Sequence, residues 1–248
     1  MLKYCQMELS ERQKKILKAI VEEYVNSASP VGSQTLEKKA NLGLSPATLR
    51  NEMAKLEKAG FLQKTHTSAG RMPTSLGLKF YIKELMKEKS LSIKDEVFLK
   101  ERLWKDRFEF EKMLREATFA LAEKAKTLAI CALDSGEVFY SGMAKILDMP
   151  EFYDIDLTQA VLSLLDEWEA IYSIFEKGKG EGPLCILLGE EIGQKLLQPC
   201  SFVFTHFDAG RNRTGNLGVL GPSRLRYWEI IPLVRFMGEL IGEVARSW

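Results

Sequence analysis

Residues 45–71, SPATLRNEMAKLEKAGFLQKTHTSAGR, constrain this chain more than any other stretch. Ser45 can accept a hydrogen bond from an early helical N–H, and Pro46 fits the first helical position, where no N–H is needed. Leu49, Met53 and Leu56 follow at i, i+4 and i+7, a stripe that faces a core. Gly60 suits the residue just past the helix end. FLQKT (61–65) then has strand character, HTSAG (66–70) is turn material, and RMPT (71–74) can return as a second short strand.

The preceding segment supplies two more helices. Ser10 and Gln13 stand where a capping box needs them. Ile16, Leu17, Ile20, Val21, Tyr24 and Val25 form the buried stripe of the helix they open, and NSASPVG ends it. A shorter helix fits 33–40, with Ser33 as its cap and Leu36 and Ala40 facing inward. Three helices and a two-stranded ribbon describe a winged helix-turn-helix, whose third helix enters the DNA major groove while its wing reaches phosphates or the minor groove.

At 100° per residue, Ala47, Asn51 and Lys58 lie opposite the Leu49–Met53–Leu56 stripe, with Thr48, Arg50, Ala54 and Lys55 beside them. The two alanines keep that surface low. Asn51 can bond bidentately to an adenine edge, and Arg50 can meet a guanine or a phosphate. The wing tip would carry His66, Thr67, Ser68 and Arg71, the last as a phosphate contact. The candidate DNA-binding set is therefore Ser33, Ser45, Ala47, Thr48, Arg50, Asn51, Lys55, His66, Thr67, Ser68 and Arg71. These residue types also suit an ordinary solvated face, and some winged helices contact only proteins.

Charge separates the chain into two parts. Residues 1–89 hold 16 Lys and Arg against 9 Asp and Glu, a net of +7; the remainder holds 19 against 25, a net of −6. A basic first third beside an acidic remainder fits a polyanion partner for the former.

After a helix at 75–88, KEKSLSIKD reads as a hinge. Residues 95–126 read as one long helix with Leu99, Leu103, Phe110, Leu114, Ala117 and Leu121 on a stripe, widened by Trp104 and Phe108. Leu103, Trp104, Phe108, Phe110 and Leu114 are the expected dimerisation face, and the same stripe would also serve as a core-packing face. Strand patterns follow at 127–133, 138–142, 183–189, 201–207 and 215–221, with a helical pattern at Ala160, Leu164, Leu165, Trp168 and Ile171. A final helix is expected from Pro222, kinked or restarted at Pro232. The class is α+β with a mostly antiparallel sheet. The expected domains are a winged helix at 1–75, a linker with long helices at 76–126 that dimerises, and an α+β domain at 127–248.

LSERQKKILKAIVEEYV, PVGSQTLEKKANLGLSPATLRNEMAKLEKAGFL and HTSAGRMPTSLGLKFYI resemble the heat-inducible transcription repressor family, HrcA, across residues 8–86. YSGMAKIL, MPEF, CSFVF and GNLGVLGPSRLRYWEIIPLV extend a weaker similarity into 127–248. The resemblance implies a GAF-like second domain and a homodimer that represses chaperone operons from an inverted-repeat operator in double-stranded DNA, assisted by the chaperonin. Members usually carry a large segment, including an inserted dimerising module, between the strands matching TLAICAL and VFYSG. Here only DSGE stands there, so the GAF-like domain is a reduced one.

Other chemistry finds little purchase. Four scattered cysteines and two distant histidines make no metal spacing, and the cysteines read as small core residues in a reducing cytoplasm. No 18 apolar residues run together, so no membrane span is expected. Gly215, Gly218 and Gly221 form G-x-x-G-x-x-G without the strand–helix context of a phosphate loop and read as strand punctuation. No enzyme activity and no cofactor is expected. The rival class is a ligand-sensing or protein-binding regulator whose GAF-like part holds a small effector, and a pocket of convergent polar groups within 127–221 would favour it.

Overall fold

In a computed structural model of the protein, which describes residues 9–64, 70–180, 182–210 and 213–246, the chain divides into two compact units, Met1–Lys87 and Glu88–Trp248.

The first unit begins with α1 (Glu11–Ser27), opened by the expected capping box: Gln13 N–H donates to Ser10 Oγ at 3.3 Å and Ser10 N–H to Gln13 Oε1 at 3.0 Å. The next helix, α2 (Ser33–Ala40), departs from expectation at its start. Gly32 is the N-cap, its carbonyl accepting from Leu36 N–H at 3.0 Å, and Ser33 is already the first helical residue with no capping bond. Asn41 and Gly43, both left-handed, turn the chain into α3 (Pro46–Lys58). At the far end of α3, Phe61 N–H reaches Leu56 O and Gly60 N–H reaches Glu57 O, each at 3.0 Å, with Gly60 at φ +82°. That is a Schellman closure, and it aims the chain into β1 (Leu62–Lys64), which pairs antiparallel with β2 (Arg71–Pro73). Thr74 caps α4 (Ser75–Phe80), which continues as a π-helical turn over Tyr81–Leu85. Ile16, Leu17, Ile20, Val21, Leu36, Leu49, Met53, Leu56 and Tyr81 are buried together in this unit.

In the second unit, the helix expected over 95–126 is two helices, α5 (Ile93–Lys105) and α6 (Phe110–Ala125). Asp106 leaves the helical conformation at φ −103°, ψ 15°, and Glu109 is extended, so the chain reverses. Arg102–Glu116 and Asp95–Lys124 ion pairs hold the two helices antiparallel. Leu103 and Leu114 are consequently buried in this chain's own core and belong to no open face. Trp104 and Phe108 remain 49% and 73% exposed, while Phe110 is half-buried under the Arg213 guanidinium, 4.7 Å from its ring centre.

The five strands β3 (Leu128–Leu133), β4 (Val138–Ser141), β5 (Leu184–Leu188), β6 (Cys200–Asp208) and β7 (Thr214–Pro222) form one antiparallel sheet in the order β4-β3-β7-β6-β5. A four-residue turn joins β3 to β4, closed by Leu133 N–H to Glu137 O at 2.9 Å. Between β4 and β5 run α7 (Met143–Leu147), α8 (Ile155–Asp166) and α9 (Trp168–Glu176). The last two replace the single helical pattern expected there, because Glu167 is extended at φ −119°. Leu128, Ile130, Phe202, Phe204 and Leu220 face α8 and α9, where they meet Val161, Ile171 and Phe175. The opposite face carries α6 and α10 (Tyr227–Arg246). Burial on both sides is why these strands read as continuous apolar runs.

The α10 helix starts five residues later than expected, since Pro222 still pairs with Cys200 in the sheet. It also runs unbroken through Pro232. Proline has no N–H for the Trp228 carbonyl, and Lys89 N–H takes that carbonyl instead at 2.8 Å. Glu88 adds a bidentate pair with Arg235 at 2.8 and 2.9 Å, so the start of the supposed hinge is fixed to α10.

Gly218 has a packing reason for lacking a side chain. A Cβ there would lie 2.4 Å from Phe204 Cβ and from Val203 O, inside the cluster of Phe175, Phe202 and Phe204. Gly218→Ala should therefore cost about 1–3 kcal/mol as overpacking, read as a lowered urea midpoint at constant slope. An unchanged midpoint would show that the cluster yields freely.

Burial pushes the Cys131 and Cys200 thiols up to about 12 from an ordinary 9.0. A raised thiol pKa means that the folded state holds its proton more tightly. The stabilisation is full below pH 9 and is lost as pH rises from 9 towards 12. At pH 8 in the native protein, maleimide should leave both unlabelled by mass-spectrometric mapping, and urea should expose both. Native labelling at the rate of a free thiol would contradict this placement.

Candidate nucleic-acid interface

The start of α3 is built to be rigid. Thr48 N–H donates to Ser45 Oγ at 3.3 Å, and the two hydroxyls lie 3.0 Å apart, so both side chains serve the cap as well as the surface. Leu49, Met53 and Leu56 are buried, as their spacing predicts, and Glu52 joins them on that side. Ala47, Arg50, Asn51, Ala54, Lys55 and Lys58 are exposed along the other side.

Their electrostatic states differ. Lys55 pairs with Glu52 at 2.8 Å yet stays 62% exposed, an arrangement that a phosphate can displace at small cost. Arg50 and Lys58 have no ion-pair partner among the described residues, and the Asn51 amide has no hydrogen bond among them. An unpartnered amide and guanidinium one position apart, on a capped helix lowered by two alanines, can present paired donors and acceptors to a base edge. Ser33 lies half-buried in the first turn of α2.

The wing differs from expectation at Arg71. His66, Thr67 and Ser68 fall outside the described residues. Arg71, expected at the tip as an exposed phosphate contact, is first in β2, in the strand pair next to the wing loop, and it is buried. Its main chain exchanges two 2.9 Å hydrogen bonds with Val31, in the α1–α2 connection. Its Nε donates to Glu57 Oε2 at 2.8 Å. The second oxygen of Glu57 lies 3.7 Å from Lys64 Nζ. Sequence reading missed both Glu57 and Lys64. Helical position alone leaves Glu57 on the flank of α3, and its two partners become visible only once strand register is known.

Among its described residues, the second unit offers no comparable site. Asp156, Gln159, Ser163, Glu167 and Gln194 line a groove of about 500 Å³ beside α8, but all of them except half-buried Gln194 are exposed. Among the described residues no group of His, Cys, Asp and Glu could hold a metal, and no helix is long and apolar enough to cross a membrane.

Known proteins resemble this chain over nearly its whole length. "Heat-inducible transcription repressor HrcA" of Carboxydothermus hydrogenoformans is 27% identical, covering 95% of this chain and 98% of that protein. Its counterpart in Moorella thermoacetica is 26% identical, covering 96% and 98%. Both alignments run over 338 positions against a 248-residue chain, so at least 90 residues of each relative have no counterpart here. Among solved structures, "Crystal structure of a hypothetical protein at 2.2 A resolution" superposes with a TM-score of 0.81 at 20% identity, covering 97% of this chain and 99% of that one, which establishes a shared fold. The family model "HrcA protein C terminal domain" matches residues 76–231, more than half of the chain. On that match, reaching across the two-sided sheet and following a winged helix with an open α3 face, this chain belongs to the HrcA family.

Proposed function

We propose that this protein is a heat-inducible transcription repressor that binds an inverted-repeat operator in double-stranded DNA as a homodimer. The reading is carried by the α3 face, where Arg50 and Asn51 are exposed and, among the described residues, unpaired. The names of the relatives support repression, and the resemblance described above adds chaperone operons as targets and the chaperonin as an assisting partner. An inverted repeat has a two-fold axis, so its reader is a symmetric dimer.

Dimerisation is assigned to the second unit. Among the described residues, the large exposed hydrophobic side chains all fall between Ile93 and Leu196, and the first unit has none. With Leu103 and Leu114 internal, Trp104 and Phe108 are the expected dimerisation residues that remain open. Linking two winged helices makes the second half-site contact intramolecular, at an effective concentration on the order of millimolar.

Binding to an inverted-repeat duplex and to a scrambled control, measured at several salt concentrations, tests the reading. The operator duplex should bind more tightly throughout, and equal affinity at every salt would refute specific repression. Asn51→Ala should cost about 1–3 kcal/mol on the operator and relax base preference at one position. A folded Asn51→Ala protein with full operator affinity would show that a different face reads the bases.

Sedimentation tests the assembly. Residues 88–248 should be dimeric and 1–87 monomeric, with the latter weakened 10²-fold or more, roughly, on the operator. The double change Trp104→Lys, Phe108→Lys should yield folded monomers. A monomeric 88–248 piece beside a dimeric 1–87 piece would reverse the assignment.

A further inference from the structure

On the reading of a DNA-binding winged helix, we propose that Lys64 is the phosphate contact of the wing, and that Arg71 and Glu57 are positioning residues that free Lys64 for that contact. Lys64 and Arg71 are direct partners across the β1–β2 pair, so their side chains leave the same face of the ribbon. Two like charges directly opposite destabilise an antiparallel pair. Glu57, in the last turn of α3, answers both: Oε2 takes Arg71 Nε at 2.8 Å and Oε1 lies 3.7 Å from Lys64 Nζ.

The two cations are not equivalent. Arg71's side chain is 11% exposed, its backbone is pinned to Val31, and its guanidinium is committed to the shorter bond. Lys64's side chain is 42% exposed, and it lies nearly 1 Å farther from the shared carboxylate. One carboxylate neutralises one cation, and geometry gives that role to Arg71. The remaining positive charge resides on Lys64, a flexible, hydrated point charge that trades a loose carboxylate contact for a phosphate oxygen at small cost. Arg71 thus supplies the internal counterion without which Glu57 would hold Lys64 back. The same pair ties β2 to α3, and so sets where the wing lies relative to the reading helix.

Counterion release distinguishes a phosphate contact from a structural one. Lys64→Gln in the full chain should lower the magnitude of the log K against log salt slope by about 0.9, on operator and scrambled duplexes alike. That corresponds to roughly an eight-fold loss of affinity at 0.1 M salt. Lys64→Arg should restore the slope. The double change Glu57→Gln, Arg71→Gln removes the buried pair as a unit and leaves Lys64 free. It should weaken operator binding through a displaced wing, and a folded double variant with full operator affinity overturns the positioning role. An unchanged slope in Lys64→Gln overturns the phosphate contact. Because the slope is also read on the scrambled duplex, a parent without operator preference would fail the repressor reading while leaving the role of Lys64 decided separately.

Discussion

The ribbon of the first unit, and its place beside α3, depend on how one arginine is held. Arg71 exchanges two backbone hydrogen bonds with Val31 and donates its side chain to Glu57. It therefore binds the wing to the connection between α1 and α2 and to the final turn of α3. A wing of three-residue strands has too little backbone pairing to fix itself, since an isolated two-stranded ribbon is at best marginal in water. Burying the arginine is tolerable because its counterion is built in. Taking away only one partner would leave an uncompensated buried charge, a far larger penalty than the pair confers as a whole.

Much of this unit was legible in the chain. The Ser10–Gln13 capping box, the Ser45–Pro46 start, the Leu49–Met53–Leu56 stripe and the turn at Gly60 are short-range features, each decided by residues within two helical turns. What was not legible is long-range. Arg71 looks like an exposed tip residue until strand register places it opposite Lys64 and its backbone opposite Val31. Ser33 shows a smaller failure, because serine is a good cap but so is an extended glycine, and the backbone of Gly32 took the position.

The second unit repeats the lesson on a larger scale. Apolar periodicity over 95–126 continues straight through a chain reversal, because α5 and α6 both turn apolar faces inward and the stripe does not record the break at Asp106. Periodicity identified Leu103 and Leu114 as apolar-face residues without saying whose core they would enter. Pro232 illustrates the converse case. A helix interior tolerates proline when the freed carbonyl finds another donor, and Lys89, 143 positions away in the chain, provides it.

Two-sided burial of the sheet also limits how copies of this chain can assemble. α6 and α10 cover one face and α8 and α9 the other, so association through either sheet face would mean removing a packed helical layer. The described apolar side chains left to water sit mostly on helices and their connections: Trp104 and Phe108 at the α5–α6 reversal, and Tyr153 and Ile155 at the start of α8. In a two-fold dimer the same patch meets itself, so one such patch suffices and a second on another side is not consumed by the same contact. The turn between β3 and β4 is closed within four residues, and at least 90 residues of each relative have no counterpart in this chain. In the proposed dimer, an interface at Trp104 and Phe108 would use side chains that also sit on a helical layer. Substitutions at such a site act on stability and assembly together, and the two effects separate only when the folded fraction and the oligomeric state are measured on the same sample.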